Sequence, residues 1–257
     1  MRKRIEDYNK TLPIVEIYRA VQSEGSRIGR PTIVVRTTGC THRCYFGEGG
    51  WCDSWYTSIH PEKGMFTFQD IINMYDQNPH VKEMMLTGGS PTMHPALVNE
   101  LTHLANERNI IITIETEGSA FVETDYPLGL ISLSPKFSNS VPVVGTLTPA
   151  GKVVDERFIK VHNRKRLNTE AIKQMIEFHS DYHYKPVWDG SRENLKEIEE
   201  YRVNLNIPKD KTFIMPAGDT REQLIKMYPI VFNMCAEQGY NMTGRDHIIA
   251  FNTERGV

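Results

Sequence analysis

Apolar positions along the chain switch repeatedly between short strand-like runs and helical spacing. Ile14-Val15-Glu16-Ile17-Tyr18 reads as a strand, a Gly-containing loop follows, and Thr32-Ile33-Val34-Val35-Arg36 reads as a second strand. Beyond a Gly-rich stretch from Gly39 to Trp55, Thr67 is placed to cap a helix whose Phe68, Ile71, Ile72 and Tyr75 share one face. Val81 to Leu86 predicts a strand ending at Thr87-Gly88-Gly89. Pro95 to Glu107 predicts a helix with Leu97, Leu101 and Leu104 turned inward. Ile110 to Ile114 reads as a buried strand ending at Glu115, and Leu128 to Leu133 as another closing on Ser134-Pro135-Lys136. Helices near 168–180, 191–204 and 220–238 then alternate with strands near 182–187, 212–215 and 247–251. Residues 137–167, rich in Pro, Gly, Asn and basic side chains, read as an irregular insertion.

Strands separated by helices imply a parallel sheet with right-handed crossovers. About seven or eight strands with few early helices predict a single domain over residues 1–257, built as an incomplete, open parallel α/β barrel. The polar and glycine signals fall where strands end: Gln22-Ser23-Glu24-Gly25, Gly39-Cys40, Thr87-Gly88-Gly89, Glu115, Ser134-Pro135-Lys136 and Met215-Pro216-Ala217-Gly218. Carboxyl ends of parallel strands form the ligand face of such folds, so these signals are expected on one rim.

Composition narrows the setting. Thirty basic against 32 acidic side chains give a net charge of −2, which removes the electrostatic reason to expect a nucleic-acid binder. Hydrophobic residues make up 39%, and no run approaches the roughly 20 residues a membrane span needs. The start, Met1 to Tyr8, is basic and then polar rather than the apolar stretch of a secretory leader, so the protein is expected to stay in the cytoplasm. Four cysteines are too few for a disulfide scaffold. Cys40, Cys44 and Cys52 lie close together, whereas Cys235 sits among Ile230, Val231 and Met234 and reads as a packed thiol. The run Glu193, Lys196, Glu197, Glu199, Glu200 and Arg202 reads as a solvated helix face.

The spacing Cys40-x3-Cys44-x7-Cys52 leaves several readings open. Structural zinc wants four ligands, and only His42 or His60 stands near enough in sequence to be the fourth. Three thiolates without a fourth partner suit a 4Fe–4S cluster with one iron left open. Inert buried thiols are the third reading.

Context separates them. Arg36-Thr37-Thr38-Gly39-Cys40-Thr41-His42-Arg43-Cys44, continuing to Trp51-Cys52-Asp53-Ser54, resembles the cluster loop of radical S-adenosylmethionine (SAM) enzymes, Cys-x3-Cys-x-aromatic-Cys, with five additional residues before Trp51. Val21-Gln22-Ser23-Glu24-Gly25, Thr87-Gly88-Gly89-Ser90-Pro91, Ile114-Glu115-Thr116-Glu117-Gly118, Leu133-Ser134-Pro135-Lys136 and the closing His247 to Val257 resemble, in order, motifs of the 7-carboxy-7-deazaguanine synthases. That resemblance implies conversion of 6-carboxytetrahydropterin to 7-carboxy-7-deazaguanine with loss of ammonia, started by a 5′-deoxyadenosyl radical that takes hydrogen from the pterin C6. A radical SAM activase acting on a partner protein, and a non-enzymatic zinc-binding module, are the competing readings.

The resemblance also implies roles. Cys40, Cys44 and Cys52 would ligate the cluster, and Ser54 would be the protein ligand of Mg²⁺. Trp51, Asp53, Gly88, Gly89, Glu115, Ser134 and Lys136 would hold SAM. Gln22, Glu24, Arg36, Thr87 and the carboxylate of Val257 would bind the pterin, with Arg36 as a fork for its carboxylate. Ser90 stands where many radical SAM proteins carry a glutamate for the SAM amino group. A homodimer and an external donor such as flavodoxin complete the expectation.

Overall fold

The computed structural model describes residues 5–179 and 181–257. The basic residues Met1–Arg4 and Ser180, the end of one predicted helix, lie outside the described residues. Six strands form one sheet in sequence order: β1 Ile14–Val21, β2 Pro31–Thr37, β3 Glu83–Gly88, β4 Ile111–Thr116, β5 Leu130–Leu133 and β6 Tyr182–Tyr184. Three more, β7 Val187–Trp188, β8 Phe213–Pro216 and β9 Asn241–Met242, form a second parallel sheet. A parallel bridge from Tyr184 to Thr212 joins the two into one arc. Pro186, which has no backbone N–H to donate, separates β6 from β7. Among the described residues no ladder joins β9 to β1, so the arc is open.

The helices are α1 Trp55–Ser58, α2 Phe68–Gln77, α3 Pro95–Arg108, α4 Glu156–Asn163, α5 Thr169–Phe178, α6 Arg192–Asn204, α7 Arg221–Gln238 and α8 Asp246–Phe251. Thr67 closes a capping box on α2: its hydroxyl accepts from the Asp70 backbone N–H (3.2 Å) while Asp70 accepts from that of Thr67 (2.8 Å). Phe68 and Ile71 of α2 and Leu97, Leu101 and Leu104 of α3 are buried in one core with Ile33, Val35, Met84, Leu86, Ile112, Ile114, Ile131 and Leu133 of the sheet. Strand side chains alternate in facing, so those strand residues share the helix-facing side. The other face then carries Arg36, Thr87, Glu115, Ser132, His183 and, one register beyond β6, Lys185.

Three expectations are corrected. β1 runs antiparallel to β2, with Ile14 opposite Thr37 and Val21 opposite Pro31. Its carboxyl end therefore lies at the opposite end of the sheet from those of β2 to β5, and Gln22–Glu24 do not join the rim as a strand end. Instead the β1–β2 loop folds across the inner face: Arg27 grips Glu83 at 2.8 and 2.6 Å, and Ser26 Oγ meets His183 Nδ1 at 2.9 Å. Residues 247–251 are not a strand but most of α8, and His247 lies on that helix; the last strand is the two-residue β9. The irregular segment 137–167 contains α4, whose N-cap Asp155 accepts from the Phe158 N–H (3.0 Å), and a bridge between Leu147 and Val153.

Candidate active site

The cysteine loop is built as a small hairpin. Tyr45 and Trp51 pair antiparallel, Phe46 N–H donates to the Gly50 carbonyl (2.8 Å), and Cys52 N–H donates to the Cys44 carbonyl (3.1 Å). Gly50 turns at φ 78°, a conformation that L side chains rarely adopt. The residues inserted before Trp51 are thus folded out, and Cys52 returns beside Cys44.

Cys44 is buried and Cys40 and Cys52 are half-buried; none forms a disulfide. Burial, then the Glu117 carboxylate, pushes the Cys40 thiol well up. Burial, then Asp53, brings Cys52 to about 11. The unmetallated thiols are therefore held neutral, and a metal centre would have to draw off their protons.

A single zinc ion with bonds of about 2.3 Å needs its sulfurs within roughly 4 Å of one another. Among the described residues the ligand atoms that gather within 4.8 Å are those of Cys40, His42 and Glu117, not those of the three cysteines. Thiols that converge on one loop without meeting at one point fit a multi-iron cluster better than one ion. Cys235 is elsewhere, in the core with Val231 and Met234, its Sγ 3.6 Å from the Asn241 carbonyl, and burial pushes it to about 11.

The segment 137–167 braces this loop. His162, fully buried, accepts from the Arg43 N–H (3.0 Å), lies 3.1 Å from Ser140 Oγ, and sits edge-on to His42 with ring centroids 5.4 Å apart. Trp51 donates its indole N–H to the Leu147 carbonyl (3.1 Å) and packs on Tyr45 and Phe158.

Gly88 and Gly89 lie where β3 meets the end of β2. A Cβ on Gly88, at φ 118°, would strike the Thr37 backbone, and one on Gly89 would strike the Gly39 carbonyl. Ser90 N–H donates to that same carbonyl (2.7 Å), so the glycine turn locks the base of the cysteine loop to β3.

The inner face carries a chain of ion pairs. Thr87 Oγ1 donates to Glu115 (2.9 Å), whose other oxygen accepts from Lys185 Nζ (2.8 Å). Lys185, 3% exposed, also grips Glu24, and Glu24 accepts from Arg245 (3.1 Å). Arg245 continues to Asp53 (2.6 Å), and His247 Nε2 lies 3.7 Å from the same carboxylate oxygen. Burial raises the Glu24 carboxyl, but the charges of Lys185, Arg245 and His247 outweigh it and bring it to about 2.

Arg36 forms a second branch. Its Nε donates to Glu16 (2.9 Å), Nη1 to Ser54 Oγ (2.8 Å) and Nη2 to Tyr18 (3.1 Å). Arg255 returns the chain end to this point, bonded to Glu16 (3.1 Å) and Glu62 (3.1 Å) and lying 3.3 Å over the Tyr56 ring. Val257 is two residues beyond. Lys136 Nζ turns back onto Ser134, 2.6 Å from its hydroxyl. Gln22 is buried with Oε1 unpartnered.

Sequence reasoning missed Lys185 and Arg245. Lys185 had a signal, since it lies within a predicted strand two residues after the inward His183; Arg245 was hidden by reading α8 as a strand.

A 7-carboxy-7-deazaguanine synthase of Halobacterium salinarum is 31% identical over 247 residues, covering 94% of this chain and 91% of its own length. One of Rhodopirellula baltica is 33% identical over 247 residues, covering 96% and 89%. The chain belongs to the 7-carboxy-7-deazaguanine synthase family. No family model matches it. The crystal structure of QueE from Escherichia coli superposes with a TM-score of 0.62 over 90% of this chain and 92% of that one, at 17% identity, which shows a shared fold. This synthase-family chain thus keeps a parallel α/β arc with its polar groups on the inner face. No helix among the described residues is long and apolar enough to cross a membrane.

Proposed function

We propose that the chain is a 7-carboxy-7-deazaguanine synthase, a radical SAM lyase converting 6-carboxytetrahydropterin to 7-carboxy-7-deazaguanine with loss of ammonia. The observation that carries this is the 31% identity spread over 94% of the chain rather than confined to one motif. The three thiols on one loop, two of them at the ends of its hairpin, supply the donor set for a 4Fe–4S cluster, held by Cys40, Cys44 and Cys52. With SAM bound, that centre supplies hydrogen-abstracting radical chemistry.

The chain's own residues bind, orient and exclude water. Trp51, Asp53, Gly88, Gly89, Glu115, Ser134 and Lys136 are assigned to SAM; Gln22, Glu24, Arg36, Thr87 and the Val257 carboxylate to the pterin. The unpartnered Gln22 Oε1 is an acceptor for the exocyclic amino group of an aminopyrimidinone. Lys185 fixes the carboxylates of Glu24 and Glu115 against each other and so sets the pterin edge relative to the SAM edge. Ser54 is the proposed oxygen ligand of Mg²⁺. Its Oγ accepts a hydrogen bond from Arg36 in this structure, so a cation bound there would sit beside the guanidinium charge. A substrate carboxylate paired with the Arg36 fork would offset that repulsion. A small-molecule pterin substrate, a homodimer, a flavodoxin-type electron donor and a cytoplasmic setting belong to the same proposal.

The test is anaerobic incubation of cluster-loaded protein with SAM, reductant, Mg²⁺ and 6-carboxytetrahydropterin. The expected outcome is the deazapurine acid with release of ammonia. Absence of that product from protein with full iron and sulfide content rejects the synthase reading and leaves the activase. A colourless preparation with stoichiometric zinc and no sulfide rejects radical chemistry altogether.

A further inference from the structure

Glu117 is a buried carboxylate that no Lys or Arg side chain among the described residues pairs with; the His42 ring stands beside it, Nδ1 3.7 Å from Oε1. The Glu117 side chain is 5% exposed, and Oε1 collects the protein's donors: Ser90 Oγ at 2.7 Å, Ser119 Oγ at 2.5 Å and Thr41 Oγ1 at 3.4 Å. Oε2 is buried and has no partner. The nearby cations are spent elsewhere, Arg43 on the carbonyls of Cys40 and His42 and Lys136 on Ser134. The carboxylate also stands within 4.8 Å of the Cys40 thiol, so ligation of the cysteines would add further negative charge beside it. A carboxylate oxygen left in this state costs free energy unless a bound ligand supplies a donor.

We propose that Glu117 binds the amino group of SAM, taking over from β4 the task for which Ser90 is too short and uncharged. This rests on the radical SAM reading of the same site. SAM carries an ammonium and a sulfonium against one carboxylate, and of its two cationic centres only the amino group has protons to donate. The Ser90 hydroxyl orients the acid through Oε1 and leaves Oε2 for the ligand. The acid has thus moved from the glycine turn after β3 to the turn after β4, and the two turns meet at the Ser90–Glu117 hydrogen bond.

Equilibrium binding of SAM, and of a SAM analogue lacking the α-amino group, to anaerobically reconstituted full-length protein tests this. Glu117→Gln is expected to weaken SAM binding by roughly 10- to 100-fold, the loss of a charged hydrogen bond, with iron and sulfide unchanged. The analogue should lose far less, so the preference for SAM over it shrinks. Glu117→Asp, which keeps the charge, should fall between the wild type and Glu117→Gln. Unchanged SAM affinity, or equal weakening of both ligands, overturns the assignment while leaving the synthase reading intact. Loss of iron, or loss of a bound divalent ion, in Glu117→Gln makes the carboxylate a metal ligand and also overturns it. Failure of the cluster-loaded wild type to bind SAM at all overturns both.

Discussion

The thiol corner and the ion-pair chain lie on the same inner face and differ in how far the protein alone completes them. Along the chain every charge has a partner: Glu115, Lys185, Glu24, Arg245 and Asp53 alternate in sign and are bonded in sequence. At the thiol corner one buried and two half-buried neutral thiols lie near an unpartnered, buried carboxylate oxygen on Glu117 and an unpartnered, buried His42 Nε2. A finished region is expected to contribute to the stability of the apoprotein. An unfinished one gains its partners from ligands, and its loss should be read in metal and cofactor content instead.

The largest expected effect breaks the thiol corner without touching the chain of ion pairs. Cys52→Ala should abolish cluster assembly, read as iron and sulfide per polypeptide after anaerobic reconstitution. Cys235→Ala should leave iron content unchanged, because that thiol is packed in the core under α7. Equal iron loss in both variants would remove the distinction between ligand and packing cysteine.

The next effect runs the other way. Lys185→Met leaves Glu24 and Glu115 facing each other without the buried cation they share. Removing one partner from a buried ion pair costs about 3–5 kcal/mol. At roughly 2–4 °C per kcal/mol for a chain near this size, the apoprotein Tm should fall by on the order of 10 °C. Lys226→Met, which breaks an exposed pair with Glu222 one turn away, is the control and should leave Tm unmoved. If the two variants melt alike, the inner-face chain is not the self-sufficient region described above.

Much of this contrast was open to reading before the fold was known, and the division follows sequence distance. The cysteine hairpin, the glycine turn and the Ser134-Pro135-Lys136 end are local, so their spacing alone marks them. The ion pairs join residues 161 and 221 positions apart, Lys185 or Arg245 with Glu24, and no window of sequence contains both partners. The antiparallel β1 was misread because alternation reveals a strand but not its direction. The run Ile248-Ile249-Ala250-Phe251 was misread as a strand because a short apolar run has no decisive period. In the structure Ile248 is buried and Phe251 is 47% exposed, the one-sided burial of a short surface helix. The segment 137–167 looked irregular because its order comes from contact with the cysteine loop through His162 and Leu147 rather than from its own apolar pattern.

The smallest effect separates two acid-sensitive groups within the finished region. Burial, then the charge of Lys185, lowers His183 from its usual 6.5 to about 3, and both ring nitrogens are engaged, Nδ1 by the Ser26 backbone N–H (3.3 Å) and Nε2 with Ser132 Oγ (2.7 Å). Below pH 6.5 the unfolded chain binds a proton that the folded chain refuses, so stability falls from there toward pH 3. Glu24 follows at lower pH: its folded value near 2 lies below its unfolded 4.5, so its contribution is complete above 4.5 and is lost as pH falls toward 2. Denaturant midpoints of the apoprotein measured from pH 7 to pH 3.5 should therefore decline in two stages. His183→Asn should make the first stage shallower, with buried His162 and His179 holding the rest of it, and leave the second, whereas Glu24→Gln should make the second shallower and leave the first. A wild-type midpoint that stays level between pH 6.5 and 5 would show that His183 accepts its proton without cost, and that the inner face is looser than its hydrogen bonds imply.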